Sequence, residues 1–151
     1  RVIITDMNEY RLDLARKMGA DAAVDIRSQD LQAVMKEQNL TEGFDVGLEM
    51  SGSGAALDQM LSTMRNGGRI ALLGIGDKPI PVNMNTIIGK GLALQGIYGR
   101  TMDNWHQMSY MVQGGLDLSP VITHRFHYTE YEQGFEAMIS GRSGKVILDW
   151  E

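Results

Sequence analysis

Short apolar segments alternate with segments of helical period along nearly the whole chain, and glycine-containing turns separate them. This alternation restricts the fold more than any other feature, because it is the pattern of an α/β protein built on a parallel sheet. Residues 2–5 are predicted to be a first short strand. Tyr10, Leu14 and Met18 then fall on one helical face, and Gly19 supplies a stop. Residues 22–26 suit a second strand, and Leu31, Val34 and Met35 stripe a second helix ending near Asn39. Residues 44–50 form a third strand, closed by Ser51-Gly52-Ser53-Gly54. Ala56, Leu57, Met60, Leu61 and Met64 repeat at helical spacing up to Asn66-Gly67-Gly68. Residues 69–73 are almost wholly apolar, as expected of a strand buried on both faces. A loop through Gly74-Ile75-Gly76 and Pro79 to Pro81 follows, then a short turn over residues 86–90. Residues 92–98 make another apolar strand.

The remainder changes character. Residues 105–114 are predicted to be a helix with Met108, Met111 and Val112 inward, and residues 117–125 an extended loop through Pro120. Thr129 to Glu132 fit a capping box ahead of a helix carrying Phe135, Ala137, Met138 and Ile139. Residues 146–148 close with a last strand. There is no internal repeat, low-complexity segment or flexible linker.

Composition narrows the partners. The 151 residues carry a formal net charge of −5 without a long run of one sign, which argues against nucleic acid or acidic lipid. There are no cysteines, so disulfides and thiolate metal sites are excluded within these residues; this fits the cytoplasm. No apolar run approaches the roughly 20 residues that a membrane helix needs. The opening RVIITD lacks signal-peptide architecture. A chain that starts on a strand is expected to be part of something longer.

Asp6 is the first candidate for chemistry. An acid at the carboxyl end of a parallel strand, ahead of a helix, can accept two hydrogen bonds from a ribose diol. Its charge would repel a ribose 2′-phosphate, and no basic residue adjoins it, so NAD is expected over NADP. Arg11, one helical turn further on, is placed to lie near the adenosine. Asp6 and Glu9 also satisfy a D-x-x-E capping pattern, and one side chain can serve both ends. A phosphate-binding G-x-G-x-x-G should stand roughly 20 residues before such an acid. The one internal candidate, Gly52 to Leu57, has Leu where the third glycine belongs, and it reads as a strand-to-helix turn. Leu73-Gly74-Ile75 and Ile97-Tyr98-Gly99 sit at strand ends, where ligands lie in open α/β sheets; such glycines also serve simply as turn devices. His124 and His127 should point to opposite faces of an extended segment, and His106 stands alone on a helix. No zinc site or catalytic group is expected among these residues. The eleven methionines read as core filling.

TDMNEYRLDLARKMGA, TEGFDVGLEMSG, NGGRIALLGI, KGLALQGIYGR and DLSPVITHRFHYTEYEQGFEAMISGRSGKVILDW together resemble the carboxyl-terminal part of the bacterial L-threonine 3-dehydrogenases. These belong to the zinc-containing medium-chain alcohol dehydrogenase superfamily. The resemblance covers essentially the whole chain, and GIYGR and LSPVITHRF are its most specific parts. It implies that Asp6 holds the adenosine ribose of NAD with Arg11 nearby. It also implies that Leu73, Gly74 and Ile75 line the nicotinamide, beside Ile97 and Tyr98. The parent reaction would be NAD-linked oxidation of L-threonine, a small-molecule substrate, to 2-amino-3-oxobutanoate. Its zinc ligands, proton relay and glycine fingerprint would lie outside this chain, which alone is expected to be inactive. The parent would be a cytoplasmic homo-oligomer, a tetramer. A polyol or butanediol dehydrogenase shares the scaffold, and a non-catalytic nucleotide-binding module is the alternative from another class.

The expected fold class is therefore α/β: a Rossmann-like parallel sheet lacking its first, central strand, plus a C-terminal segment of the catalytic domain. Residues 1–99 would be a partial NAD-binding domain, and residues 100–151 would pack back towards the absent catalytic domain. With the strand order 3-2-1-4-5-6, the strands starting near Val2 and Phe44 would flank a gap. They are expected to pair directly, recruit another chain or need a companion fragment, since open edges invite association.

Overall fold

A computed structural model describes residues 1–151. The elements follow as β1 (Ile3–Asp6), α1 (Glu9–Lys17), β2 (Ala22–Asp25), α2 (Leu31–Glu37), β3 (Phe44–Glu49), α3 (Gly54–Thr63), β4 (Met64–Leu72), α4 (Met84–Lys90), β5 (Ala93–Gly96), α5 (Met102–Gln113), β6 (Ile122–His127), α6 (Tyr131–Ile139) and β7 (Lys145–Asp149). Every strand pairing is parallel, as the alternation requires. The chain divides into two compact units, residues 1–34 with 102–151, and residues 35–101.

In the first unit β1 pairs with β2, with Ile3 opposite Ala22 and Asp6 opposite Asp25. Helix α1 begins one residue after Asn8, whose side-chain oxygen accepts from the Tyr10 amide at 3.0 Å. That start sets the helix phase. Leu12 is fully buried, whereas Tyr10 and Met18 of the expected inward face are exposed. Leu12 and Ala15 lie three residues apart on the covered flank, and Tyr10 lies off it.

Strands β6 and β7 pair in the same unit, with Phe126 opposite Leu148. The expected loop over residues 117–125 is instead a 3-10 turn, Ser119–Val121, leading directly into β6. The partner strand decides this, since β7 supplies a ladder that sequence-local propensity does not register. Helix α6 lies against β6 and β7 through Gly134, where even a Cβ would sit at van der Waals distance from Leu148 and Val146. Met108, Met111 and Val112 of α5, expected to face inward, are exposed, and so are Phe135, Met138 and Ile139 of α6. No layer within the chain covers those faces. The capping box also falls two residues earlier. The His127 amide donates to Glu130, and the His127 ring accepts from Thr129 N.

The second unit is a three-stranded sheet in the order β3-β4-β5. Helices α3 and α4 share one core with it, built from Leu57, Leu61, Met64, Ile70 and Leu92. Helix α4 replaces the turn expected near residues 86–90. Asn83 caps it by accepting from Asn85 N and Thr86 N, and Gly91 ends it in the left-handed conformation. Lys90 Nζ donates to the carbonyls of Leu61, Ser62 and Met64, at 3.1, 2.6 and 2.9 Å. It thereby satisfies acceptors that the end of α3 leaves open. The chain is already extended at Met64, so α3 stops before the expected Asn66. The β3–β4 register then jumps from Phe44 opposite Met64 to Val46 opposite Arg69.

Strands β1 and β3 each have one hydrogen-bonded neighbour. Of the three outcomes expected for these strands, direct pairing does not form, and each keeps an open edge. On β3, Gly47 and Glu49 are buried while Val46 and Leu48 are more than half exposed. The sheet is thus covered on the α3 side and apolar but uncovered on the other.

Candidate functional site

Asp6 is the last residue of β1. Its Oδ1 accepts from the amides of Met7 at 2.7 Å and Asn8 at 2.9 Å. Its Oδ2 lies 3.9 Å from an Arg11 guanidinium nitrogen, with the Asp6 side chain 29% exposed. Asn8, not Asp6, is the cap of α1, and Glu9 is the first helical residue rather than the far end of a box. The D-x-x-E reading is corrected accordingly. Asp6 braces the turn into the helix with one oxygen and presents the other beside a cation at the strand's carboxyl end. Such an arrangement can accept hydrogen bonds from a polyhydroxyl ligand. The structure brings Asp6 and Arg11 together.

A second acid closes β2. The Asp25 carboxylate accepts from the Arg27 guanidinium, at 2.9 and 2.6 Å, and from the Arg27 amide at 3.0 Å. The guanidinium bonds first, and the amide bond second, pull its pKa down to about 2. This pair answers itself and is less available to a ligand than Asp6.

The other candidates lie in the second unit, at the carboxyl ends of β4 and β5. The amides of Leu73 and Gly74 both donate to the Glu49 carbonyl, at 2.8 and 3.0 Å, and the Ile97 amide donates to the Leu72 carbonyl at 2.9 Å. Leu73-Gly74-Ile75 and Ile97-Tyr98 therefore leave two neighbouring strands side by side. Ile75 and Tyr98 are 80% and 95% exposed, so their apolar surfaces stand open to an incoming flat or apolar group. Gly52 and Gly54 form the strand-to-helix turn expected of them, with Gly52 at φ +68°.

Sequence reasoning passed over Glu49. It is 3% exposed, and its carboxyl group accepts from Ser51 N, Ser51 Oγ and Gly52 N. The signal was present as a lone acid in the apolar run FDVGLEM, directly before Ser-Gly.

No three His, Cys, Asp or Glu side chains gather as metal ligands. His124 Nδ1 lies 2.9 Å from Thr123 Oγ1, and His127 is engaged at its capping turn. These residues do not fit a catalytic zinc.

Parallel strands joined by helices, with an acid and glycine-bearing loops at their carboxyl ends, define a Rossmann-like α/β protein. The family model described as zinc-binding dehydrogenase matches residues 1–114, and the chain belongs to that family. It is 58% identical to an L-threonine 3-dehydrogenase of Vibrio vulnificus over 151 residues. It is 57% identical to that of Anaeromyxobacter dehalogenans over 150 residues. In both cases 99% of this chain and 44% of the relative are covered. The alcohol dehydrogenase TADH from Thermus sp. ATN1 superposes with a TM-score of 0.89 at 21% identity, over 100% of this chain and 44% of that one, which speaks to the fold. The chain thus spans under half the length of the relatives it matches.

Proposed function

We propose that these residues are the cofactor-binding portion of an NAD-dependent, zinc-type dehydrogenase that oxidises L-threonine to 2-amino-3-oxobutanoate. The observation that carries the reading is the 57% identity to L-threonine 3-dehydrogenases over 99% of the chain. Asp6 supports its cofactor half. On this reading Asp6 Oδ2 accepts from the adenosine ribose, and Arg11 stands beside the adenosine. The Asp6 charge disfavours a 2′-phosphate, which selects NAD over NADP. Leu73, Gly74 and Ile75 present backbone and apolar surface to the nicotinamide, with Ile97 and Tyr98 alongside. NAD, when bound, accepts the hydride that leaves the hydroxyl-bearing carbon of the substrate.

Residues 1–99 act as the partial NAD domain and residues 100–151 as the segment that returns to a catalytic domain. Zinc would sit on residues outside this chain, so the 151 residues alone are inactive. The whole protein works in the cytoplasm as a homo-oligomer, a tetramer. No helix here is long and apolar enough to cross a membrane.

The test is an activity assay on a protein of the relatives' length carrying these residues, with threonine, sorbitol and butanediol, each with NAD and NADP. Threonine with NAD should be the active pair. Asp6→Ala should raise the apparent KM for NAD about tenfold or more, the scale of a lost hydrogen bond to a charged group. Activity on another alcohol instead would move the substrate and keep the scaffold. No dehydrogenase activity at all, with Asp6→Ala altering only stability, would refute the proposal.

A further inference from the structure

Glu49 is a buried acid whose main chain engages the proposed nicotinamide loop and whose carboxyl group engages the turn packed against that loop. Its main-chain carbonyl accepts from Leu73 N and Gly74 N. Its carboxyl group reaches the next turn, accepting from Ser51 N at 2.9 Å, from Ser51 Oγ, and from Gly52 N at 3.1 Å to each oxygen. That turn in turn abuts the loop. A Cβ on Gly52 would lie 2.6 Å from the Ile75 carbonyl carbon and 2.8 Å from Gly76 N, and Gly52 holds φ +68°. A Cβ on Gly74 would collide with the Gly52 amide nitrogen and come within 2.7 Å of Glu49 Oε2. Two backbones are therefore pressed together with no side chain between them, and the carboxyl group of Glu49 sets the position of one of them. Packing this close transmits a displacement rather than absorbing it.

We propose that Glu49 is a positioning residue for the cofactor: by holding the Ser51–Gly52 turn against Gly74 and Ile75, its carboxyl group fixes the backbone offered to the nicotinamide. The inference rests on the NAD reading above and adds to it. A support of this kind acts on one end of the dinucleotide only. The adenosine end is held by Asp6, on a different strand.

The experiment measures dissociation constants for NADH and for ADP-ribose, which lacks the nicotinamide, on a protein of the relatives' length. Glu49→Gln keeps the volume and one acceptor oxygen but sets an NH2 group against the Gly52 amide. Its NADH constant should rise about tenfold, the scale of a charge-assisted hydrogen bond lost, with the ADP-ribose constant unchanged. Ser51→Ala, which removes one donor and leaves the carboxyl group in place, should shift the NADH constant in the same direction by a smaller factor. It decides the matter if Glu49→Gln does not fold. Equal weakening of both ligands, or no change in either, would overturn the proposal and leave Glu49 a stabilising residue only. Asp6→Ala separates the two readings, since it should weaken both ligands together. If it does so while Glu49→Gln weakens neither, this inference fails and the NAD reading stands. If the unmodified protein binds neither ligand, both fail.

Discussion

Asp6 and Glu49 end two parallel strands in the same manner, and the fold uses them in opposite ways. Each carboxyl group turns back to accept backbone amides just ahead of it, Met7 and Asn8 in one case and Ser51 and Gly52 in the other. The Asp6 side chain remains 29% exposed and faces Arg11, while Glu49 is 3% exposed and fully engaged within the fold. Position at the carboxyl end of a strand therefore does not make an acid a ligand-binding group. What separates them is the neighbouring strand end. Beside Glu49 the Leu73–Gly76 backbone closes over the carboxyl group, and nothing comparable covers Asp6. One acid keeps an oxygen beside an exposed cation, and the other is spent as a bracket within the fold.

Stability measurements can break this comparison. The largest effect should come from Glu49→Ala, which empties a buried site and removes the shared acceptor of Ser51 N, Ser51 Oγ and Gly52 N, and is expected to cost about 2–3 kcal/mol in urea denaturation. Asp6→Ala exposes its two amides to water and should cost about 0.5–1 kcal/mol, as for a lost helix cap. Equal losses would show that both acids are brackets. Asp25 sharpens the comparison with a third strand-end acid and should give the smallest effect. Its folded-state pKa, about 2, lies below the ordinary 3.8 because Arg27 bonds to the charged form. The unfolded chain then binds the proton more readily. The contribution is complete above about pH 4 and is lost as pH falls through about 2. Urea midpoints of the wild type and Asp25→Asn should therefore differ near neutrality and converge in that acid window. A constant difference would remove the Arg27 contact as its source.

Much of this was legible beforehand. The alternating pattern located β1 to β5 and the parallel sense of their pairing, because short apolar runs between helical periods specify a parallel α/β ladder. The double burial expected of residues 69–73 does not hold, since only one face of that sheet is covered. The place of Asp6 followed from the abrupt change from IIT to an acid ahead of a helical period. The phase of α1 was not legible, since Asn8 and Asp6 are both acceptable caps and their contest is settled by backbone geometry. Strand β6 was missed because its only reason to be extended is β7, some twenty residues later. Glu49 was missed because an acid in a strand carries no local sign of what will fold over it.

The sequence by itself determined the α/β class, the parallel ladders and the family, since apolar period and turn chemistry act through residues close along the chain. The tertiary structure alone decided which acid is covered and which stays open, which glycines must be glycine, and which methionine faces are left bare. Those depend on what another segment brings within a few ångströms, and no spacing along one strand or helix encodes that.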